Sequence, residues 1–142
     1  MPPKKKKKPS PAKIKAKLKK QCDILWSSIT KQIHRHKYGN ICLWCRKEST
    51  NLQSDHVFNR WKHSTRWNVA NCVILCVGCH IFRKKREPFS WAEMVMDNMS
   101  KDVYEDLKKG SEIMVNVNNS FMEYVLDYLQ KMDNDKPWET QI

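Results

Sequence analysis

The chain has 142 residues and a formal net charge of +12, with 30% charged and 40% hydrophobic residues. This length suits one domain with tails. No apolar run approaches the roughly 20 residues of a membrane span, and the first 20 residues lack the apolar centre of a signal peptide. These features argue against a membrane or secreted protein. We therefore expect a cytoplasmic protein, or a nuclear one if the source is eukaryotic.

Charge is distributed unevenly along the chain. Residues 1–20 hold ten lysines and no acid, residues 21–90 hold twelve basic and four acidic side chains, and residues 91–142 hold five basic and eleven acidic ones. A basic front part indicates a polyanionic partner. Nucleic acid is the commonest such partner, with an anionic membrane surface as the less supported alternative. The acidic end could contact a protein partner or shield the basic face.

The N-terminal part is predicted to be a tail followed by a helix. Residues 1–17 are rich in lysine and proline and are predicted to be disordered. Contact with nucleic-acid phosphates is the favoured role of this tail, with a simple solvated tail or a nuclear-localisation signal as alternatives. From Leu18 apolar residues recur in steps of three and four, which predicts an amphipathic helix to about Lys37 that stops near Gly39. Cys22 lies on the apolar face and is predicted to be core.

The middle of the chain predicts two short strands, at about 52–58 and 72–75, separated by a polar, basic loop. A turn then leads into a helix that ends near residue 85. The remainder is predicted to be helical, with capping boxes at Ser90-x-x-Glu93 and Ser120-x-x-Glu123 and a left-handed cap at Gly110. The predicted organisation is a tail (1–17), a central domain with its leading helix (18–87) and a helical extension (88–142).

Two Cys-x-x-Cys pairs predict a structural zinc site with the ligands Cys42, Cys45, Cys76 and Cys79. Zinc favours four tetrahedral thiolates, and paired cysteines in a reducing compartment indicate metal ligands rather than disulfides. Thirty residues separate the pairs, against about 15–20 in simple zinc ribbons, so a segment is inserted between them. Buried free thiols or a redox pair are the alternatives. Cys72, which has no partner at this spacing, is interpreted as core.

The inserted segment carries a second ordered set of polar residues. Asp55-His56 falls on the first predicted strand, Asn71 lies five residues before Cys76, and His80 directly follows Cys79. This order resembles that of the HNH endonucleases, in the variety found in phage-encoded proteins similar to the NinG recombination family. The resemblance covers about residues 41–85 and depends on CLWC (42–45), DH (55–56), the loop FNRWKHSTRW (58–67) and NCVILCVGCH (71–80).

The resemblance implies an α+β fold: a small ββα-metal core held by the four-cysteine zinc site, flanked by an N-terminal helix and a C-terminal helical region. It implies that His56 is the general base and that Asp55 and His80 hold a catalytic Mg²⁺ or Mn²⁺ ion. Asn71 would orient the ring of His56 through a hydrogen bond. The stretch after His80 lacks the further histidine or asparagine of many HNH sequences, so only two protein ligands are expected.

Basic residues flank the proposed site on both sides. Those predicted to bind the phosphates of double-stranded or branched DNA are Arg60, Lys62, Arg66, Arg83, Lys84 and Lys85. Trp61 and Trp67 are predicted to pack in the protein, with stacking on bases as the alternative. The predicted function is metal-dependent cleavage of DNA phosphodiester bonds, in the host cytoplasm if a phage encodes the protein. The alternatives are a non-catalytic zinc module that binds DNA or RNA, and a protein-interaction adaptor.

Overall fold

The computed structural model describes residues 1–140, and its architecture is α+β. A two-stranded antiparallel sheet sits among helices that come from both ends of the chain. The elements in chain order are α1 (Pro11–Tyr38), β1 (Leu52–Asp55), β2 (Val73–Cys76), a π-helical turn (Gly78–Arg83), α2 (Lys84–Arg86), α3 (Pro88–Asn98), α4 (Lys101–Ser111), α5 (Asn119–Asp135) and a final 3₁₀ turn (Pro137–Thr140). Within the described residues, no helix is long and apolar enough to cross a bilayer.

Helix α1 begins seven residues before its predicted start at Leu18. Ser10 has an extended backbone, and its side chain accepts a hydrogen bond from the backbone N–H of Lys13 at 3.3 Å. Pro11 follows at the first helical position, where its missing N–H costs nothing. This local start signal outweighs the lysine-rich composition, so residues 11–17 are helical rather than disordered. The helix ends as predicted at Gly39, whose φ of 76° favours glycine.

The two strands pair in a register that fixes the polar residues at the end of β1. Leu52 lies opposite Cys76, and Asp55 lies opposite Val73. Strand β1 stops at Asp55 rather than continuing to Phe58, so His56 is the first residue beyond the sheet. Strand β2 is buried from Val73 to Leu75, and the chain turns directly from it into the π-helical turn. The local order is therefore strand, strand, helical segment.

Two apolar clusters form the core. The first surrounds the sheet and includes Leu75, Cys42 and Val95 of α3. The second lies between α1 and α5 and contains Cys22, Trp26, Ile29, Trp67, Met122 and Leu129. Cys22 is fully buried, which confirms the sequence-based interpretation. Cys72 is half-buried and packs against both clusters.

The C-terminal helices form as predicted, but their ends differ from the predicted caps. Helix α3 begins at Pro88, two residues before Ser90, because a proline is pre-organised for the first helical turn. Gly110 lies inside α4, where a β-carbon would approach the side chain of Thr65 to 3.2 Å. Helix α5 is capped by Asn118, whose side chain accepts from the backbone N–H of Phe121 at 2.8 Å.

Candidate functional site

The four cysteines of the two Cys-x-x-Cys pairs come together in one cluster. The sulfur atoms of Cys42, Cys45, Cys76 and Cys79 all lie within 4.8 Å of one another. The sulfurs of Cys45 and Cys76 are 3.9 Å apart, close to the roughly 3.8 Å that a tetrahedral ion at about 2.3 Å from each sulfur requires. The cluster is therefore suited to a structural metal ion such as zinc, as the spacing predicted.

Backbone hydrogen bonds shape the first knuckle and attach it to the sheet. The N–H of Arg46 donates to the carbonyl of Cys42 at 2.9 Å, with Arg46 in the left-handed region at φ 62°. The N–H of Leu43 donates to the carbonyl of Ile74 on β2 at 3.0 Å. Burial alone would raise the pKa of the Cys42 thiol, but backbone N–H groups directed at its sulfur lower that pKa to about 7. Cys42 is thus the thiol that ionises most readily to the thiolate, the form that binds metal, whereas burial raises the pKa of Cys45 and raises that of Cys79 to about 12.

Asp55 is a buried carboxylate with three donors around it. Its side chain is 6% exposed. The ammonium of Lys84 lies 2.8 Å from Oδ1 and 3.0 Å from Oδ2, and the indole N–H of Trp91 donates to Oδ2 at 3.0 Å. Burial would raise the pKa of Asp55, but the adjacent His80 and the ion pair with Lys84 outweigh it and hold that pKa below its usual range. The carboxylate is therefore ionised.

His80 faces Asp55 from the π-helical turn. Its Nδ1–H donates to the side-chain oxygen of Gln53 at 2.7 Å, which leaves Nε2 as the acceptor nitrogen of the neutral ring. Nε2 lies 3.5 Å from Oδ1 of Asp55. Gln53 and Asp55 are two residues apart on β1 and so share one face of the strand. Gln53 therefore orients the ring of His80, and Asp55 faces the other nitrogen of that ring.

The geometry of Asp55 and His80 fits a pair of adjacent ligands to one cation. Oδ1 and Nε2 are 3.5 Å apart, and the ammonium of Lys84 lies 2.8 Å from the same Oδ1. Two neighbouring ligands of an octahedral ion at about 2.1 Å would be about 3.0 Å apart, so the observed 3.5 Å needs a small adjustment. His80 follows Cys79 directly, so a metal ion in the four-cysteine cluster would fix the backbone that carries it.

His56 is held by a ring stack and one hydrogen bond. Its ring lies parallel to that of Trp26, with centroids 4.1 Å apart and 9° between the planes. Its Nε2–H donates to the carbonyl of Arg66 at 2.9 Å, which leaves Nδ1 with a free lone pair. Burial lowers the pKa of His56, in opposition to the Arg66 hydrogen bond. The ring is thus a fixed, neutral base at pH 7.

The hydrogen bond predicted between Asn71 and His56 is not formed. Asn71 is fully buried. Its Oδ1 accepts from the N–H of Phe58 at 2.7 Å, and its Nδ2 donates to the carbonyls of Phe58 and Thr65, both at 3.1 Å. Because one amide side chain satisfies main-chain groups at both ends of the basic loop, it holds the loop in place. Thr65, whose carbonyl accepts from Asn71, directly precedes Arg66, whose carbonyl accepts from His56.

Arg66 does not belong to the exposed basic surface, contrary to prediction. It is 6% exposed, and its guanidinium makes a two-pronged ion pair with Asp23 of α1, at 2.8 and 3.2 Å. The indole N–H of Trp67 donates to the same carboxylate at 2.8 Å, and Trp67 is buried as predicted. Trp61 was predicted to pack but is 74% exposed.

The other predicted phosphate contacts divide into free and engaged side chains. Arg60, Lys62 and Lys85 are exposed. Arg83 lies over the ring of Trp44 at 4.0 Å and pairs with Glu87 at 3.2 Å. Lys84 is engaged by Asp55 and lies over the ring of Trp91 at 4.3 Å.

Sequence reasoning missed several residues that complete the site. Trp26 and Trp91 lie outside residues 41–85, on α1 and α3, and their contacts with His56 and Asp55 depend on the packing of those helices. Gln53 could have been found, because it precedes Asp55 by two residues on a strand. Lys84 was predicted to bind phosphate, and its contact with Asp55 was missed, although it follows His80 by four residues on a helical segment.

Comparison of the chain with known protein families, with curated proteins and with solved structures finds no match.

Proposed function

We propose that this protein is a metal-dependent endonuclease of the HNH type that hydrolyses phosphodiester bonds of DNA. The observation that carries the proposal is the facing pair of Asp55 Oδ1 and His80 Nε2, 3.5 Å apart and beside the four-cysteine cluster. Next to Asp55 in the chain stands a neutral histidine held in one tautomer. A cation site adjoining a positioned base is the arrangement that phosphodiester hydrolysis needs.

The donor set fits a divalent cation. A carboxylate oxygen suits hard ions such as Mg²⁺, and an imidazole nitrogen favours softer ones such as Mn²⁺. Two protein ligands suffice for Mg²⁺, which keeps several waters when bound to proteins. When bound at Asp55 and His80, the ion would polarise the scissile phosphate and stabilise charge on the leaving oxygen.

His56 would activate the attacking water. Its Nδ1 lone pair accepts a proton from the water while the water oxygen attacks phosphorus, and the ring becomes an imidazolium. The carbonyl of Arg66, 2.9 Å from Nε2, strengthens its hydrogen bond to the charged ring and so stabilises that state. The parallel Trp26 ring fixes the plane of the imidazole. These contacts position the base without a charged partner.

The substrate would bind through the exposed basic residues near the site. Arg60 and Lys62 lie on the loop that follows His56, and Lys85 lies on α2, close in sequence to His80. Residues 1–20, the tail and the first turns of α1, carry ten further lysines. Contacts of this kind recognise the phosphates of double-stranded or branched DNA without reading sequence. The acidic C-terminal helices remain a proposed surface for a protein partner, and the cytoplasm the proposed location.

The test is incubation of supercoiled plasmid with the full chain in Mg²⁺, in Mn²⁺ and in a chelator. We expect nicked or linear product only with the divalent ion, and a loss of at least about a hundredfold in His56→Ala. His36→Ala, which removes an exposed histidine of α1, is the matched control and should cut normally. Bound zinc and circular dichroism should be unchanged in both variants. Equal cutting by His56→Ala would refute the assignment of the base.

A second candidate is a non-catalytic zinc module that binds DNA or RNA. The ion pair of Lys84 with Asp55 favours it, since this contact neutralises the carboxylate without a divalent ion. This candidate expects plasmid binding that shifts its mobility with no cleavage in either metal. It offers no role for a histidine stacked and hydrogen-bonded into a single tautomer.

A further inference from the structure

Lys84 lies in the site, but the proposed cleavage mechanism gives it no role. Its ammonium lies 2.8 Å from Oδ1 and 3.0 Å from Oδ2 of Asp55, so it spans both carboxylate oxygens. Its side chain is 34% exposed, whereas that of Asp55 is 6% exposed. A flexible, half-exposed cation thus neutralises a fixed, buried anion.

We propose that Lys84 is an internal counter-ion that competes with the catalytic divalent cation for Asp55. In the metal-free protein Lys84 closes the site, and binding of the cation releases its ammonium toward the substrate. The proposal rests on the proposed function in one respect: it takes Asp55 and His80 to be the cation's ligands.

The competition follows from the positions of the donors on the two oxygens. The indole N–H of Trp91 uses Oδ2 at 3.0 Å, and Oδ1 is the oxygen that faces His80. A divalent ion shared by Asp55 and His80 must therefore bind Oδ1, at about 2.1 Å. The ammonium of Lys84 is already 2.8 Å from that atom. Two cations on one oxygen repel strongly where water is scarce, so Lys84 has to leave.

Lys84 can leave without disturbing the fold. It lies one helical turn after His80, and its ammonium lies over the ring of Trp91 at 4.3 Å. Rotation about its four-carbon stem moves the ammonium into solvent, and the carboxylate keeps its hydrogen bond from Trp91. The released ammonium stays within a side chain's length of the cation site. It can then donate to a phosphate oxygen of bound DNA.

The experiment is a Mn²⁺ titration of the zinc-loaded full chain followed by electron paramagnetic resonance of free Mn²⁺. Zinc stays in the thiolate cluster, because thiolates prefer it to Mn²⁺. Wild type is compared with Lys84→Gln, which removes the charge, and with Lys85→Gln, the exposed neighbour, as the matched control. We expect Lys84→Gln to bind Mn²⁺ about tenfold more tightly than wild type and Lys85→Gln to bind it as wild type does. Asp55→Asn should abolish binding at this site.

A second readout is thermal unfolding in chelator-treated buffer that leaves zinc bound, and then with Mn²⁺. Lys84→Gln should unfold at a lower temperature than wild type without Mn²⁺ and show the larger upward shift when Mn²⁺ is added. Equal Mn²⁺ affinities of wild type and Lys84→Gln would overturn the competition and leave the nuclease proposal intact. No Mn²⁺ bound by any variant at millimolar concentration would overturn both.

Discussion

The ion pair between Asp23 and Arg66 ties the basic loop to α1, and its removal separates a structural from a DNA-binding role of Arg66. We predict that Asp23→Asn destabilises the protein by about 3 kcal/mol. Breaking a buried pair costs about 3–5 kcal/mol, and the lower end applies because the Asp23 side chain is 36% exposed. The estimate includes the indole N–H of Trp67, which donates to the same carboxylate at 2.8 Å.

The measurement is urea unfolding of the zinc-saturated chain, followed by far-ultraviolet circular dichroism. Asp106→Asn, an exposed acid on α4, is the control and should change stability by less than about 0.5 kcal/mol. The same Asp23 variant should cut DNA more slowly, because the loop that carries the Arg66 carbonyl also holds His56. If Asp23→Asn were as stable as the control, the structural role of the ion pair between Asp23 and Arg66 would be refuted.

Four further predictions concern the loop, the metal cluster and the base. Arg60→Ala should leave stability unchanged. The plot of log K for DNA binding against log salt concentration should become less steep by about 0.9, measured by fluorescence anisotropy. Cys76→Ser should lose bound zinc and unfold on heating well below wild type, whereas Cys22→Ala should keep its zinc; elemental analysis and calorimetry check both. Asn71→Ala should cost about 2–4 kcal/mol in urea unfolding, because it leaves main-chain groups of the loop unpaired. Because burial lowers the pKa of His56, the loss of plasmid cutting as pH falls should have its midpoint below the roughly 6.5 of an ordinary histidine; a midpoint above pH 7 would contradict this.

The metal cluster was predictable from sequence because each Cys-x-x-Cys pair is a short local motif. Each Cys-x-x-Cys turn places two sulfurs on one side of the chain, and the two pairs could then complete one tetrahedral shell. The strands that carry Asp55 and Cys76 were predictable for the same reason, from short apolar runs. The start of α1 was also encoded locally, in Ser10-Pro11, but the lysine-rich composition concealed it.

The supports of the site were not predictable, because they depend on packing between distant parts of the chain. Asp23 meets Arg66 across 43 positions, and Trp91 reaches Asp55 across 36. Charge and residue type alone assign Arg66 to a solvent-facing surface, and only the approach of α1 to the loop gives it a buried partner. The role of Asn71 depended in the same way on the path of the loop.

Because α5 packs against α1, residues 41–85, which carry the motifs, do not contain every residue that supports the site. Trp26, which supports His56, shares its apolar cluster with Met122 and Leu129 of α5. Trp91, which donates to Asp55, also lies outside residues 41–85. A fragment limited to those residues would keep every residue of the motifs but would lack both Trp26 and Trp91. Grafting such a segment onto another protein would therefore transfer its ligands without the geometry that orders them.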